Sequence, residues 1–428
     1  MRTLALVDGE HYPPVVRAAL ARAGEEQEVV AALLLGGDEK LRGQPDYGLP
    51  LERAGTRPAG EAMLAAAADH RAGRVLDLSD EPVLGQAERV ALACRALAGG
   101  IEYAGPDFHF RPPPRIAVDV PTVAVIGTGK RVGKTSVSAH LARLLRESGR
   151  RVVVVAMGRG GPAEPELVDA GHGTLGVADL LARSQAGQHA ASDFLEDAAL
   201  ARVTTVGARR CGGGLFGRPY ISNVEEAVRR AAATGPEIIV LEGSGAALPP
   251  VAADRTLLVH PATAGPPGAG FDLYRLLLAN LVVLTMCDPP FDAAAGVVEN
   301  TAMIRTVLRP VPAEPVAGAR IAYFSTAPDP ARPARELAAE YGADVVLVSP
   351  NLARRDRLAG DLERAADAGA DTYLVEIKAA AIDVVAEAAA ARGVRVVFCD
   401  NRPLALPGEP DLDAALLDLA GEAVAAGA

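Results

Sequence analysis

The fold is decided by the stretch Val123-Ala-Val-Ile-Gly-Thr-Gly-Lys-Arg-Val-Gly-Lys-Thr-Ser136. Four apolar residues predict a buried strand, a glycine-rich turn follows, and beyond Gly133 apolar residues recur at helical spacing. This order is typical of a phosphate-binding loop (P-loop), in which backbone amides and the positive end of the helix dipole hold phosphates. Its first glycine, Gly127, stands one position earlier than in the simplest form of the motif.

The loop residues have separate predicted roles. Lys134 is expected to reach the β- and γ-phosphates, and the hydroxyl of Thr135 to bind Mg²⁺. Lys130 is expected to act in catalysis with Lys134, by neutralising charge as the phosphoryl group moves. The nucleotide-binding residues predicted from this loop are Gly127, Gly129, Lys130, Arg131, Val132, Gly133, Lys134, Thr135 and Ser136.

A second motif is Glu237-Ile-Ile-Val-Leu-Glu-Gly-Ser-Gly-Ala246, an apolar strand that ends in an acid and two glycines. In open α/β sheets ligands lie at the carboxyl ends of strands. Glu242 is therefore predicted to hold Mg²⁺ together with Thr135. Asp288 stands where guanine-specific loops carry an Asn-Lys-x-Asp motif, and the Asn and Lys are missing, which favours ATP over GTP.

Outward from the loop, apolar strands alternate with helices from Thr122 to near the end of the chain. Several strands are continuous apolar runs, as expected for parallel strands buried on both faces. We predict an α/β fold in which a doubly wound, mainly parallel sheet carries the P-loop and the catalytic domain spans residues 118–428. The alternation lapses at about 162–222, which we interpret as a Gly- and Arg-rich insertion.

A smaller N-terminal α/β domain is predicted for residues 1–112. Strands and helices alternate there as well. The domain ends at Phe110-Arg-Pro-Pro-Pro-Arg115, where consecutive prolines can neither continue a helix nor donate to a sheet. This segment is the predicted linker between the two domains.

The overall charge restricts the partners. The chain has 428 residues and a net charge of −11, which argues against nucleic acid and against an anionic membrane because both favour a basic face. No apolar stretch reaches the roughly 20 residues that a membrane helix needs. No targeting segment is visible, and the four scattered cysteines are typical of reduced thiols, so we expect a cytoplasmic protein. An anionic substrate therefore requires a locally positive pocket.

Several motifs carry a resemblance to known families. The loop Gly127–Thr135 with Glu242-Gly-Ser-Gly245 resembles that of dethiobiotin synthetase and its relatives. The whole chain resembles the cyclic 2,3-diphosphoglycerate synthetase family more closely. The segments that carry this resemblance are Val7-Asp-Gly-Glu-His-Tyr-Pro-Pro14, Arg209-Arg-Cys-Gly-Gly-Gly214 and Asp400-Asn-Arg-Pro403.

The resemblance implies an ATP-dependent ligase that closes 2,3-bisphosphoglycerate into a cyclic pyrophosphate and releases ADP and phosphate. It also implies an intracellular oligomer, which we expect to be a homodimer. Arginine forks match phosphate oxygens, and Arg159 is expected to act in catalysis as well as in binding. Gly212–Gly214 is expected to let its segment close as a lid. The predicted substrate residues are Arg159, Arg209, Arg210, Arg218, Lys378 and His11.

Two other functions remain open at this point. One is a P-loop ligase of the dethiobiotin synthetase type, which would want an apolar slot for a carbon-chain substrate. The other is an ATPase that switches partner binding with its nucleotide state. Such switches usually begin near the loop, whereas this chain has more than a hundred residues before Gly127.

Overall fold

The computed structural model describes residues 1–169, 175–288, 301–327 and 329–427. The chain forms two compact units. The N-terminal unit contains Met1–Pro114 and Pro266–Leu278, and the P-loop unit contains Arg115–Gly265 and the described residues from 279 onward. None of the helices in these ranges combines the length and the apolar composition of a membrane span.

Strands and helices alternate along both units. The strands are β1 (Arg2–Val7), β2 (Glu28–Leu34), β3 (Leu51–Arg53), β4 (Arg74–Asp77), β5 (Glu102–Ala104), β6 (His109–Phe110), β7 (Thr122–Gly127), β8 (Val152–Gly158), β9 (Glu166–Val168), β10 (Thr204–Cys211), β11 (Ile221–Ser222), β12 (Ile238–Glu242), β13 (Arg255–Pro261), β14 (Leu281–Thr285), β15 (Ala302–Pro312), β16 (Arg320–Phe324), β17 (Asp344–Ser349), β18 (Thr372–Glu376) and β19 (Arg395–Ala405). The α-helices are α1 (Pro13–Gly24), α2 (Ala59–Asp69), α3 (Gln86–Ala98), α4 (Lys134–Glu147), α5 (Val177–Gln185), α6 (Asp193–Glu196), α7 (Val224–Ala232), α8 (Asp272–Leu278), α9 (Ala331–Tyr341), α10 (Arg355–Asp367), α11 (Glu387–Arg392) and α12 (Leu412–Ala426). Short 3-10 helices span Asp38–Lys40 and Ala262–Ala264, and π-helical turns span Asp197–Ala201 and Ala381–Ala386.

The N-terminal unit is built on one sheet with the strand order β3-β2-β1-β4-β5-β6. The first five strands are parallel, and β6 runs antiparallel to β5. From β1 the chain passes through α1 to β2 on one side, and it later enters β4 on the other side of β1. The strand order therefore reverses between β1 and β4.

The P-loop unit contains a larger sheet with the order β11-β10-β8-β12-β7-β13-β14-β15-β19-β18-β16-β17, and β9 pairs with β10. Among the described strands, the pairings are parallel except β9–β10, β10–β11 and β15–β19. Strand β15 joins the two halves of the sheet, because its first residues pair with β14 and its last with β19. The predicted doubly wound, mainly parallel fold with a smaller N-terminal α/β domain is confirmed.

Strands β8, β12 and β7 are adjacent interior strands of this sheet, and the P-loop follows β7. Their residues are continuous apolar runs, and β7 and β12 are buried along their whole length, as expected where both faces of a sheet are covered. Helix α4 packs Val137, Leu141 and Leu145 into the same core. The start of α4 is thereby fixed at the carboxyl end of β7.

The structure departs from the sequence-based division in two places. Strand β10 lies within the stretch 162–222 that was interpreted as an insertion, yet it pairs in parallel with β8 in the main sheet. Residues 170–174 of that stretch are outside the described residues. Strand β10 contains two threonines and two arginines, so it lacks the continuous apolar run from which the other strands were predicted. The segment Pro266–Leu278, assigned above to the catalytic domain, belongs to the N-terminal unit, where α8 packs on α3.

The segment Asp400-Asn-Arg-Pro403 ties the end of the chain to the P-loop helix. The carboxylate of Asp400 forms a buried ion pair with Arg143 on α4. On the same helix, Nε2 of His140 lies 2.6 Å from Oδ1 of Asp413 on α12. These contacts hold α4 against β19 and α12.

Candidate active site

The P-loop backbone has the conformation that a phosphate cradle requires. Gly133, just before α4, has a φ of 94°, and Arg131 has a φ of 62°. Both values lie in the left-handed region, which is sparsely populated for residues with a side chain. A Cβ on Gly127 would come within 2.8 Å of Cδ of Lys134. The loop therefore wraps closely around the Lys134 side chain, with the amino end of α4 facing it.

Lys134 lies inside this loop. Its side chain is buried, and Nζ donates a hydrogen bond to the carbonyl of Gly129 at 2.7 Å. Burial lowers the pKa of Lys134 to about 8, and the nearby carboxylate of Glu242 partly offsets this effect. A lysine that is desolvated and aimed along the loop is suited to contact a phosphate chain.

Residues of the neighbouring strands make two contacts with the loop. The sequence gave no reason to expect either contact. Oγ1 of Thr128 lies 2.9 Å from Nδ1 of the buried His260, whose Nε2 lies 2.9 Å from the carbonyl of Gly265. Oγ1 of Thr285, at the end of β14, donates to the carbonyl of Val132 at 2.7 Å. These bonds hold the loop in place before any ligand arrives.

Thr135 and Glu242, the predicted magnesium residues, are in direct contact. Oγ1 of Thr135 donates to Oε1 of Glu242 at 2.6 Å. Glu242 is 1% exposed at the end of β12, and its Oε2 is buried and receives no hydrogen bond from a donor group among the described residues. Burial and the nearby Asp193 raise the pKa of Glu242 to about 7. A half-buried hydroxyl beside a buried carboxylate fits a hard cation.

A group of acids that the sequence analysis missed lies beside Glu242. Asp193 and Glu196 belong to α6, and Asp197 begins the π-helical turn that continues it. Burial raises the pKa of Glu196 to about 8, and burial together with Glu242 raises that of Asp197. Both carboxylate oxygens of Asp197 are buried, they receive no hydrogen bond from a donor group in the described part of the chain, and the Asp197 carboxyl lies against that of Glu242. These acids stand three and four residues apart, a spacing that places them on one face of a helix and that could have predicted the group from the sequence.

The acids do not form a complete metal site by themselves. Among the described residues, no group of three or more His, Cys, Asp or Glu side chains could hold a metal ion. Magnesium, however, is usually bound through one or two carboxylates together with substrate phosphates and water. The Thr135–Glu242 pair fits that mode, in which the nucleotide supplies the remaining ligands.

Two of the predicted arginines meet beside this pair. A Cβ on Gly245, just after β12, would lie 2.7 Å from Nη2 of Arg159 and 3.2 Å from Nη2 of Arg210. Arg210 donates to the carbonyls of Gly212 and Ser244, both at 2.6 Å. Burial and then the Arg159 guanidinium lower the pKa of Arg210. The structure thus brings two guanidinium groups to the edge of the sheet where Lys134 and Glu242 lie.

Arg209 and Arg218 are not brought into this group. Arg209 is exposed and neighbours Arg210 on β10, and successive side chains of a strand project from opposite faces. Arg218 is exposed in the turn after Gly214, whose amide donates to the Arg218 carbonyl at 2.8 Å. Their predicted substrate roles gain no support from this geometry.

Lys378 follows β18 and reaches the acid group from the C-terminal half of the sheet. Its Nζ lies 3.3 Å from Oε1 of Glu196. Although burial lowers the pKa of Lys378, Glu196 and Glu376 raise it above the ordinary value. Glu376 in turn accepts hydrogen bonds from Ser325, Thr326 and Asn401. The ammonium is thus held beside the acids that surround Glu242.

The remaining predicted residues are spread more widely. Lys130 and Arg131 are exposed on the loop, and Ser136 is buried in the first turn of α4. Asp288 pairs with Arg309 at 2.9 Å and Arg332 at 3.3 Å. His11 lies in the N-terminal unit, where Nδ1 is 2.9 Å from Oδ1 of Asp8.

Comparison with known proteins gives one consistent family. Models described as the N-terminal, P-loop and C-terminal domains of cyclic 2,3-diphosphoglycerate synthetase match residues 2–111, 122–312 and 312–402. The chain is 49% identical to the cyclic 2,3-diphosphoglycerate synthetase of Rubrobacter xylanophilus, over 98% of this chain and 97% of that protein. The proteins of the same name from Methanothermobacter thermautotrophicus and Thermococcus gammatolerans are 38% and 41% identical, covering 99% and 95% of this chain and 96% and 94% of theirs. The chain therefore belongs to the cyclic 2,3-diphosphoglycerate synthetase family.

Proposed function

We propose that the protein uses ATP and Mg²⁺ to close 2,3-bisphosphoglycerate into cyclic 2,3-diphosphoglycerate, with release of ADP and phosphate. The observation that carries the proposal is the positive group formed by Lys134, Arg159 and Arg210 next to a buried acid. In a chain with a net charge of −11, this is the locally positive pocket that a polyanionic substrate requires.

The nucleotide would be held by the amides of the P-loop and by Lys134 at the β- and γ-phosphates. Thr135 and Glu242 would hold Mg²⁺, and the ion when bound would neutralise phosphate charge. The buried Oε2 of Glu242 supports this assignment, because it receives no hydrogen bond from a donor group and has the Asp197 carboxyl as its neighbour, an arrangement that is costly unless a cation or a proton joins the two acids. Asp193 lies close enough to Glu242 to raise its pKa and would face the same ion or its water.

The chemistry would proceed in two displacements. First, an oxygen of one substrate phosphate attacks the γ-phosphorus, the bond to the β,γ-bridging oxygen breaks, and ADP leaves. The product of this step carries a phosphoanhydride. Its phosphorus atom that is ester-linked to the glycerate is then attacked by an oxygen of the neighbouring substrate phosphate. Inorganic phosphate leaves and the cyclic pyrophosphate is formed. No side chain needs to become a covalent nucleophile, because both attacking groups belong to the substrate.

The chain's contribution would be to hold these charged groups together. Arg159 and Arg210 lie on adjacent strand ends and present two guanidinium groups that can bind phosphate oxygens in a bidentate way. Lys378 would add a fourth positive charge to Lys134, Arg159 and Arg210, from the opposite half of the sheet. Positioning and charge stabilisation of this kind supply most of the rate in phosphoryl transfer.

A ³¹P NMR assay of the purified protein with ATP, Mg²⁺ and 2,3-bisphosphoglycerate tests the reaction. Loss of both substrate monoester signals, new anhydride resonances and equal amounts of ADP and phosphate are expected. Release of ADP with 2,3-bisphosphoglycerate unchanged would contradict the proposed acceptor and leave an ATPase with another partner. The same preparation would test the expected homodimer by light scattering.

A matched pair of variants on β10 tests the clamp. Arg210→Met should raise the KM for 2,3-bisphosphoglycerate by roughly 10- to 100-fold, because one or two charge-assisted hydrogen bonds are lost, while ATP binding is retained. Arg209→Met changes the neighbouring residue, which projects from the other face, and should change neither quantity by more than about twofold. Equal effects of the two variants would contradict the assigned clamp.

A further inference from the structure

The substrate of the proposed reaction has one more anionic group than the arginine clamp can bind. 2,3-Bisphosphoglycerate carries two phosphates and a carboxylate. Arg159 and Arg210 present one guanidinium group for each phosphate, and Lys134 is assigned to the nucleotide. Lys378 is already paired with Glu196. A further hydrogen-bond donor near Arg159 is therefore expected for the carboxylate.

His189 lies beside the loop that carries Arg159. A Cβ on Gly160 would lie 3.4 Å from Nε2 and 3.5 Å from Cδ2 of His189, so this edge of the imidazole ring faces the glycine. The loop itself is held close to β10, because a Cβ on Gly161 would lie 2.1 Å from the carbonyl oxygen of Ala208. The imidazole is thus placed next to the residue that follows Arg159, at the carboxyl end of β8.

The chain on the other side of His189 leads into α6. Ala190 is buried in the apolar core that also contains residues of α6. Asp193, the first residue of that helix, acts electrostatically on both Lys134 and Lys378. Two ammonium groups therefore offset the charge of the acid that is closest to His189 in the sequence.

His189 differs from the other described histidines of the P-loop unit in its ring nitrogens. His260 uses both nitrogens in hydrogen bonds, and His140 lies against Asp413 of α12. Neither nitrogen of His189 has a partner in the part of the chain that the structure describes, and the side chain is exposed. A neutral imidazole carries one N–H, and a protonated imidazole carries two. His189 can therefore donate to a carboxylate in either state.

We propose that His189 binds the carboxylate of 2,3-bisphosphoglycerate while Arg159 and Arg210 bind its two phosphates. His189 is then a specificity-determining residue, because the carboxylate distinguishes this substrate from other vicinal bisphosphates. The assignment rests on the proposed function and names a residue that the sequence analysis did not single out.

The test compares the binding of two ligands by isothermal titration calorimetry in the presence of ADP and Mg²⁺, which do not support turnover. The first ligand is 2,3-bisphosphoglycerate, and the second is glycerol 1,2-bisphosphate, in which a hydroxymethyl group replaces the carboxylate. The wild type should bind the first roughly 10- to 100-fold more tightly, as expected for a hydrogen bond to a charged group. Equal affinities would overturn the proposal, because the carboxylate would then not be recognised.

Two neighbouring variants locate the contact. His189→Phe keeps a planar ring beside Gly160 and removes both nitrogens. It should weaken 2,3-bisphosphoglycerate by roughly 10- to 100-fold and change the affinity for glycerol 1,2-bisphosphate by less than about twofold. Gln188→Ala changes the exposed neighbour and should bind both ligands as the wild type does. Circular dichroism melting curves of both variants check that they are folded.

Equal weakening of both ligands in folded His189→Phe protein would overturn the proposal, because His189 would then act on the phosphates or on the loop. The proposed reaction can fail separately. If ³¹P NMR shows no cyclisation but His189→Phe removes the preference for 2,3-bisphosphoglycerate, the reaction is wrong and the assigned contact stands. If cyclisation occurs and the preference survives in His189→Phe, the reaction stands and the assignment of His189 is overturned.

Discussion

The affinity of the protein for Mg²⁺ should depend on pH through Glu242. This carboxyl is 1% exposed, and burial together with Asp193 raises its pKa to about 7. Magnesium binds the carboxylate and not the acid, so the proton competes with the ion. With a pKa of about 7, the ionised fraction falls from about 0.9 at about pH 8 to about 0.1 at about pH 6. The contribution of Glu242 to Mg²⁺ binding should therefore weaken about tenfold over this interval.

The measurement is the Mg²⁺ concentration that gives half-maximal ATP turnover, determined at several pH values for the wild type and for Glu242→Gln. Because the γ-phosphate of ATP also takes up a proton in this range, the informative quantity is the difference between the two proteins. Glu242→Gln should require more Mg²⁺ at about pH 8 and show only the pH dependence of ATP itself. Glu237→Gln, just before the same strand, is the matched control and should follow the wild type.

Parallel pH curves for the wild type and Glu242→Gln would refute this reasoning. They would mean that the carboxylate does not meet the ion, whatever its proximity to Thr135. An unchanged Mg²⁺ requirement in Glu242→Gln at every pH would mean that Glu242 only accepts the hydrogen bond of the Thr135 hydroxyl and does not bind the ion.

Three further outcomes are expected. Lys134→Met should lower turnover by about 100- to 1000-fold in the ³¹P NMR assay, as expected for the loss of one positioned charge in a buried site. Lys130→Met should lower turnover less, because Lys130 is exposed and its charge is screened by water. Asp400→Asn leaves a buried arginine without its counter-ion, and should lower the free energy of unfolding of the P-loop unit by about 3–5 kcal/mol, measured by urea unfolding with circular dichroism. The control Glu147→Gln, at an exposed position of α4, should change this free energy by less than about 0.5 kcal/mol. Equal effects of the two variants would contradict the role of the buried pair. Without Mg²⁺, the free energy of unfolding should fall as the pH rises above the ordinary pKa of aspartate, because burial and the neighbouring Glu242 hold the pKa of Asp197 well above that value in the folded state. Asp197→Asn should remove part of this slope, and an identical slope in the variant would show that other groups cause it.

Much of the fold could be predicted from local signals. The strand, loop and helix around the P-loop are consecutive in sequence, so their period and glycines predict the motif directly. The apolar runs predicted the parallel sheet for the same reason. Strand β10 was missed because it has no continuous apolar run: Thr205 and Arg210 are among its buried residues, and its pairing with β8 places it in the sheet.

Site residues divide along the same line. The sequence by itself determined the P-loop, its lysine, the Thr135–Glu242 pairing of residue types and the family resemblance, because each depends on residues close together in the chain or on whole-chain similarity. Only the tertiary structure decided that Arg210 joins Arg159 while Arg209 does not, that Lys378 reaches Glu196, and that the α6 acids crowd Glu242. It also decided that His189 lies beside the loop that carries Arg159. Strand pairing and the face to which a side chain points depend on contacts between distant segments, and no local pattern contains them.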